Sequence, residues 1–134
     1  MFLTTFALFV LRVISPRRRR EGGFLGAETI LKQLAEGPAK KLVGIEVKAG
    51  APARQGSLVL DPAGNQIGVV TSGGPAPSLN MKKIAIAYVK SAFADAGKEV
   101  QVSTRGKATA AEVVKMPFVT ANYYRVPKVA AAKQ

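Results

Sequence analysis

The apolar rhythm of this chain changes near residue 40. Before that point, Ala27–Glu36 (AETILKQLAE) puts Ile30, Leu31 and Leu34 on one side of a helix, with Glu28, Lys32 and Glu36 elsewhere. Glu21-Gly22-Gly23 breaks the chain ahead of it, and Gly37-Pro38 closes it as Gly and Pro commonly close helices. A helix this short needs a surface to lie on. After Lys40 the rhythm becomes that of strands between turns. Leu42–Val47, Ser57–Leu60, Gln66–Thr71, Ile84–Val89, Glu99–Thr104 and Thr109–Lys115 read as six strands. Ala49–Pro52, Asp61–Asn65, Ser72–Pro77 and Arg105-Gly106-Lys107 read as the loops and turns between them. Ile84–Val89 (IAIAYV) is nearly all apolar, which predicts a strand buried on both faces. Short strands between Gly/Pro turns predict a mainly β fold, a small barrel or sandwich, and closure into a barrel would remove exposed edges.

The two ends differ from this pattern. Met1–Ser15 (MFLTTFALFVLRVIS) is almost wholly apolar but shorter than the roughly 20 residues that span a bilayer. Positive charge follows it, as Arg17–Arg20, where a secretory signal carries charge in front. A mitochondrial presequence would have more than the one Arg found inside the segment. At the other end, Val129–Gln134 is an Ala/Lys tail expected to be disordered.

Composition narrows the chemistry. The 134 residues include no Cys and no His, which excludes disulfides, Cys/His zinc sites, Cys nucleophiles and every imidazole-based acid–base scheme. Twenty Lys and Arg against eight Asp and Glu give a net charge of +12, of which residues 1–20 carry +5. Such a balance suits an anionic partner, and it equally serves solubility.

Individual motifs are sparse. Gly73-Gly74-Pro75 lacks the Lys-Ser/Thr of a phosphate loop and does not open a helix, so it reads as a turn. The basic pairs Lys40-Lys41 and Lys82-Lys83 read as solvated strand ends. Arg17–Arg20 resembles a nucleic-acid arm in charge alone, since no aromatic residue is interleaved for stacking. The acids form no pair or cluster at acid–base or metal-ligand spacing, so no catalytic residue and no metal ligand is assigned. Tyr123-Tyr124 stands beyond the last strand, either packed over a neighbouring surface or lining a pocket.

Several stretches together resemble a known family. Gln66–Val70 with Thr71-Ser72-Gly73-Gly74, then Pro77-Ser78-Leu79, Lys82-Lys83-Ile84-Ala85 and Tyr88-Val89, look like the C-terminal part of the aminomethyltransferases, the T-proteins of the glycine cleavage system. Lys115-Met116-Pro117-Phe118-Val119 followed by Asn122-Tyr123-Tyr124 is the most specific of these matches. Arg17–Arg20 with Glu21–Ala27 resembles the end of the family's preceding domain. There are two departures. Asn80-Met81-Lys82-Lys83 stands where the family reads Lys-Lys-Asn after Leu, and Ala87 stands where a Gly precedes the Tyr.

The resemblance implies a six-stranded β-barrel over residues 39–125, preceded at 17–38 by a helical remnant of the neighbouring domain. Residues 1–16 match nothing in the family and are expected to be an artefactual start or a fragment end that does not pack into the barrel; 126–134 are the tail. The implied activity passes a one-carbon unit from the aminomethyl-lipoyl arm of the H-protein to tetrahydrofolate, releasing ammonia. The implied partners are therefore lipoylated H-protein and tetrahydrofolate, without nucleic acid or stable membrane insertion. The family's catalytic aspartate lies upstream of this chain, so the chain alone is expected to be inactive. By resemblance, Tyr123 comes near the folate, with Phe118 and Val119 expected to anchor the segment in the core. The family works in mitochondria of eukaryotes and in the bacterial cytoplasm. A basic barrel that binds single-stranded nucleic acid is the alternative, and it requires aromatic residues on strand faces.

Overall fold

A computed structural model of the chain describes residues 14–124. Most of the apolar head and all of the Ala/Lys tail lie outside the described residues. Two helices come first, α1 (Pro16–Glu21) and α2 (Ala27–Glu36). Six strands follow: β1 (Lys40–Val47), β2 (Leu58–Leu60), β3 (Gln66–Ala76), β4 (Lys82–Lys90), β5 (Glu99–Thr104) and β6 (Lys107–Val114). They close into a barrel in the order β1-β4-β3-β2-β5-β6, with every neighbouring pair antiparallel.

The interior is filled by small branched side chains. Ile45, Val59, Val70, Val89, Val102 and Val113 are its largest fully enclosed residues, one from each strand. Size alternates across the wall, because Ala87 lies between Val43 and Val70, and Ala111 is paired with Val100. Such alternation suits the narrow bore of a small barrel, which side chains must fill without voids. No polar or charged residue is buried among the described residues. Gly68 completes the packing between Val59 and Val89, its cross-strand neighbours. A Cβ there would overlap the Tyr88 carbonyl oxygen and come within 2.8 Å of Val89 Cγ1.

Several segments depart from the sequence-based expectation. Ser72–Ala76, expected as a loop, continues β3, and a register shift between Val70 and Ser72 lets the strand bend and carry on. Pro16–Arg20, to which the sequence reading assigns no element, winds into α1, with Pro in its first turn and Ser15 Oγ accepting from the Arg18 N–H at 3.3 Å. Strand β4 is not buried on both faces. Ala85, Ala87 and Val89 are enclosed, whereas Ile84 and Ile86 are half-buried and Tyr88 is exposed. Arg105-Gly106 alone turns the β5–β6 hairpin, both residues having positive φ (53° and 77°), the geometry that matches strand twist.

Helix α2 forms where its periodicity places it, but none of its residues is fully buried. Ile30, Leu31 and Leu34 are half-buried. The chain is tied to the end of β4 just beyond the helix, where the Ser91 N–H donates to the Ala39 carbonyl at 3.1 Å and its hydroxyl donates to the Pro38 carbonyl.

Candidate functional site

The segment that leaves β6 does not enter the barrel. Lys115 is exposed, the Met116–Pro117 peptide is cis, and the chain then runs along the outside of β1. Val43, Ile45 and Val47 of β1 point inward, so Leu42, Gly44 and Glu46 point outward. Gly44 is flanked by Ile86 on β4 and Val114 on β6, both half-buried. The missing side chain leaves a notch in that row. A Cβ on Gly44 would lie 2.9 Å from Met116 Cγ and 2.9 Å from both Cε1 and Cζ of Phe118. The Phe118 ring therefore seats flush against the bare β1 backbone.

This corrects the expected anchoring. Phe118 is held, but on the outer wall and only half-buried, and Val119 is exposed rather than anchored. The physical reason is space, since the bore is already occupied by Ile45 and the valines. Beyond Phe118 the chain has no regular structure, and Asn122, Tyr123 and Tyr124 are exposed. Tyr123 is 80% exposed, a phenol free to meet something outside the barrel. Gly44 was not singled out by sequence reasoning. Its signal was a glycine interrupting the apolar run Leu42–Val47, a place where another piece of chain comes close.

Two residues along the same wall, the cross-strand row Leu42–Tyr88–Val69–Leu58 gives the outer surface an apolar stripe. A groove of about 650 Å³ lies there, lined by Lys40, Lys90, Tyr88 and Val69. Tyr88 is the single aromatic residue on the six strands. Sequence-tolerant binding of single strands uses several aromatic platforms, so the nucleic-acid alternative is not favoured.

The ionised groups serve local structure. Glu46, Glu112 and Glu99 are consecutive cross-strand partners on β1, β6 and β5, an arrangement of like charge that would repel if left alone. Lys48 reaches Glu112 at 2.6 Å and Lys82 reaches Glu46 at 3.2 Å. The hydrogen bond to Glu112 raises the Lys48 pKa, with Glu46 and Glu99 adding to it. Asp61 closes the β2–β3 turn. It accepts from the Asn65 side chain at 3.0 Å and the Asn65 N–H at 2.8 Å, and these bonds hold its carboxyl below the usual aspartate range. Among the described residues no group of three or more acids is placed to hold a metal ion. Among the described residues, no hydrogen bond or ion pair joins these carboxylates to the Met116–Tyr124 segment.

Comparison with known proteins fits the barrel and its outer segment together. The family model described as the glycine cleavage T-protein C-terminal barrel domain matches residues 40–120. The mitochondrial aminomethyltransferase of Pisum sativum is 53% identical over 112 residues, covering 84% of this chain and 27% of the pea protein. That of Dictyostelium discoideum is 51% identical over 116 residues, covering 85% of this chain and 28% of the relative. The crystal structure of the glycine cleavage system aminomethyltransferase T from Bartonella henselae superposes with a TM-score of 0.80 at 36% identity, covering 87% of this chain and 32% of that one. The chain thus spans little more than a quarter of the length of the curated relatives it matches. With the match running through all six strands and out along the segment seated on Gly44, the chain belongs to the glycine cleavage T-protein C-terminal barrel domain family.

Proposed function

We propose that this chain is the C-terminal barrel of a tetrahydrofolate-dependent aminomethyltransferase. The whole enzyme takes the aminomethyl group from the lipoyl arm of the H-protein, releases ammonia and passes the one-carbon unit to tetrahydrofolate. Identity of 53% to the pea aminomethyltransferase over 112 residues carries this reading. The barrel's part is to close one side of a folate pocket built mainly by the domains that precede it. Its bore is filled by its own side chains, so it offers its outer wall and the exposed segment after Phe118, not a cavity. Within that segment Tyr123 is the folate contact. A phenol lies against a flat heteroaromatic ring and still hydrogen-bonds through its hydroxyl.

Residues 17–38 are the end of the preceding domain, which accounts for an amphipathic helix with no buried residue in the isolated chain. The pea and Dictyostelium relatives are named as mitochondrial, and we place this protein's activity in the same compartment.

The test is turnover with lipoylated H-protein and tetrahydrofolate. A complete enzyme ending in residues 17–124 of this chain is expected to form methylenetetrahydrofolate and ammonia, and the chain alone to give no rate above background. A complete enzyme that is folded yet inert with both substrates would overturn the assignment. Turnover by the chain alone would overturn the division of labour between the domains.

A further inference from the structure

We infer that Gly44 is a positioning residue: the notch it leaves on the outer wall of β1 seats Met116 and Phe118 and so fixes where Tyr123 is presented. The inference rests on the folate reading of Tyr123 for its functional consequence, and on geometry alone for the seating.

Three observations carry it. First, the glycine is not there for backbone freedom. Gly44 lies mid-strand, outside the left-handed region, paired with Ile86 on one side and Val114 on the other, a conformation open to any residue. What the site excludes is volume, because the first carbon of any side chain would meet Met116 and Phe118 at 2.9 Å. Second, the two sides of that contact differ in how firmly they are held. Strand β1 is paired along both edges in a closed barrel, with Val43, Ile45 and Val47 locked in the interior. The segment opposite has no strand partner and no regular structure after Pro117. A side chain at position 44 therefore displaces the side chains of Met116 and Phe118 from their seat, not the strand. Third, no other anchor is visible between the notch and the tyrosines. Val119 is exposed, as are Thr120, Ala121 and Asn122, so Phe118 is the last fixed point before Tyr123. Only four residues separate them, so the seat of Phe118 bounds where the phenol can reach.

The test has two arms. In the chain as it stands, cleavage by chymotrypsin after Phe118 is compared with cleavage after the exposed Tyr124. Gly44→Val is expected to raise the Phe118 rate by roughly tenfold or more relative to Tyr124, because a ring lifted from its notch no longer needs a local opening to be cut. In the complete enzyme, Gly44→Val is expected to raise KM for tetrahydrofolate by roughly tenfold, the size of one lost aromatic contact, with kcat and melting temperature nearly unchanged. Phe118→Ala removes the ring without touching β1 and is expected to reproduce the KM effect, so a folding failure of Gly44→Val does not spare the inference. Gly44→Val combined with Tyr123→Ala should raise KM little beyond either alone, as two changes in one contact do. Phe118 remaining protected in Gly44→Val, or full additivity of the two substitutions, would overturn the inference. Release of Phe118 with no change of KM in either Gly44→Val or Tyr123→Ala supports the notch and overturns the folate role of Tyr123 alone.

Discussion

The barrel wall and the segment that leaves it dispose of their large side chains in opposite ways. Each of the six strands commits one branched residue to full enclosure, from Ile45 on β1 to Val113 on β6. Within four residues of Pro117 the chain has one half-buried ring, Phe118, resting on the outside, and beyond it Tyr123 and Tyr124 stand in solvent at 80% and 86% exposure. Buried aliphatic area stabilises the first region by itself. The second gains almost nothing from its own tyrosines, and large aromatic residues left uncovered side by side mark a surface meant for something else. On the function proposed above, the barrel is the support and the segment is what it presents.

On that division, substitutions in the two regions fail in different measurements. The largest effect belongs to the bore. Ile45→Ala should cost about 2–5 kcal/mol of stability by urea unfolding, since the void cannot collapse inside a closed wall. A loss below about 1 kcal/mol would mean that the interior is looser than a filled barrel. Next comes Gly68→Ala, expected to destabilise by about 1–3 kcal/mol, because the new Cβ runs into the Tyr88 backbone rather than into a side chain that could turn away.

The segment should respond in binding instead. Tyr123→Ala in a complete enzyme is expected to weaken tetrahydrofolate binding by about 1–2 kcal/mol and to leave melting almost unaltered. A large drop in melting temperature with unchanged folate affinity would return Tyr123 to the structural side of the comparison.

The smallest effect lies in a turn that belongs to neither region. Asp61 has its pKa lowered in the fold by the bonds from Asn65, so its contribution is present above the ordinary value of 3.8 and lost as pH falls through the depressed one. The difference in urea midpoint between wild type and Asp61→Ala should be full at neutral pH and shrink on acidification below 3.8. A difference that stays constant down to strong acid would show that the carboxylate charge plays no part in the turn.

How far all this was legible in the sequence depends on the range of the interactions involved. Helix α2 and the six strands were readable because side-chain periodicity and turn residues such as Asp61–Asn65 act over a few positions. The continuation of β3 through Ser72–Ala76 was not, because its Gly and Pro residues argue for a loop, and pairing with β4 overrides them. Tyr88 was misjudged within an apolar run for a similar reason: what covers the outer face of β4 is not written in β4. The exposed Tyr123 was picked out by its motif, whereas Gly44 was passed over, since the residues that fill its notch, Met116 and Phe118, lie far along the chain.

Periodicity, turn chemistry and the KMPFV…NYY stretch were therefore enough to specify a small β fold and its family, because each is a local property of neighbouring residues. The closing order β1-β4-β3-β2-β5-β6 and the placing of Phe118 on the outside of β1 came from folding alone. Both are contacts between residues far apart in the chain, and they are decided by volume: a bore with room for valines has none for a phenylalanine ring, and only a glycine on the outer wall leaves it somewhere to go.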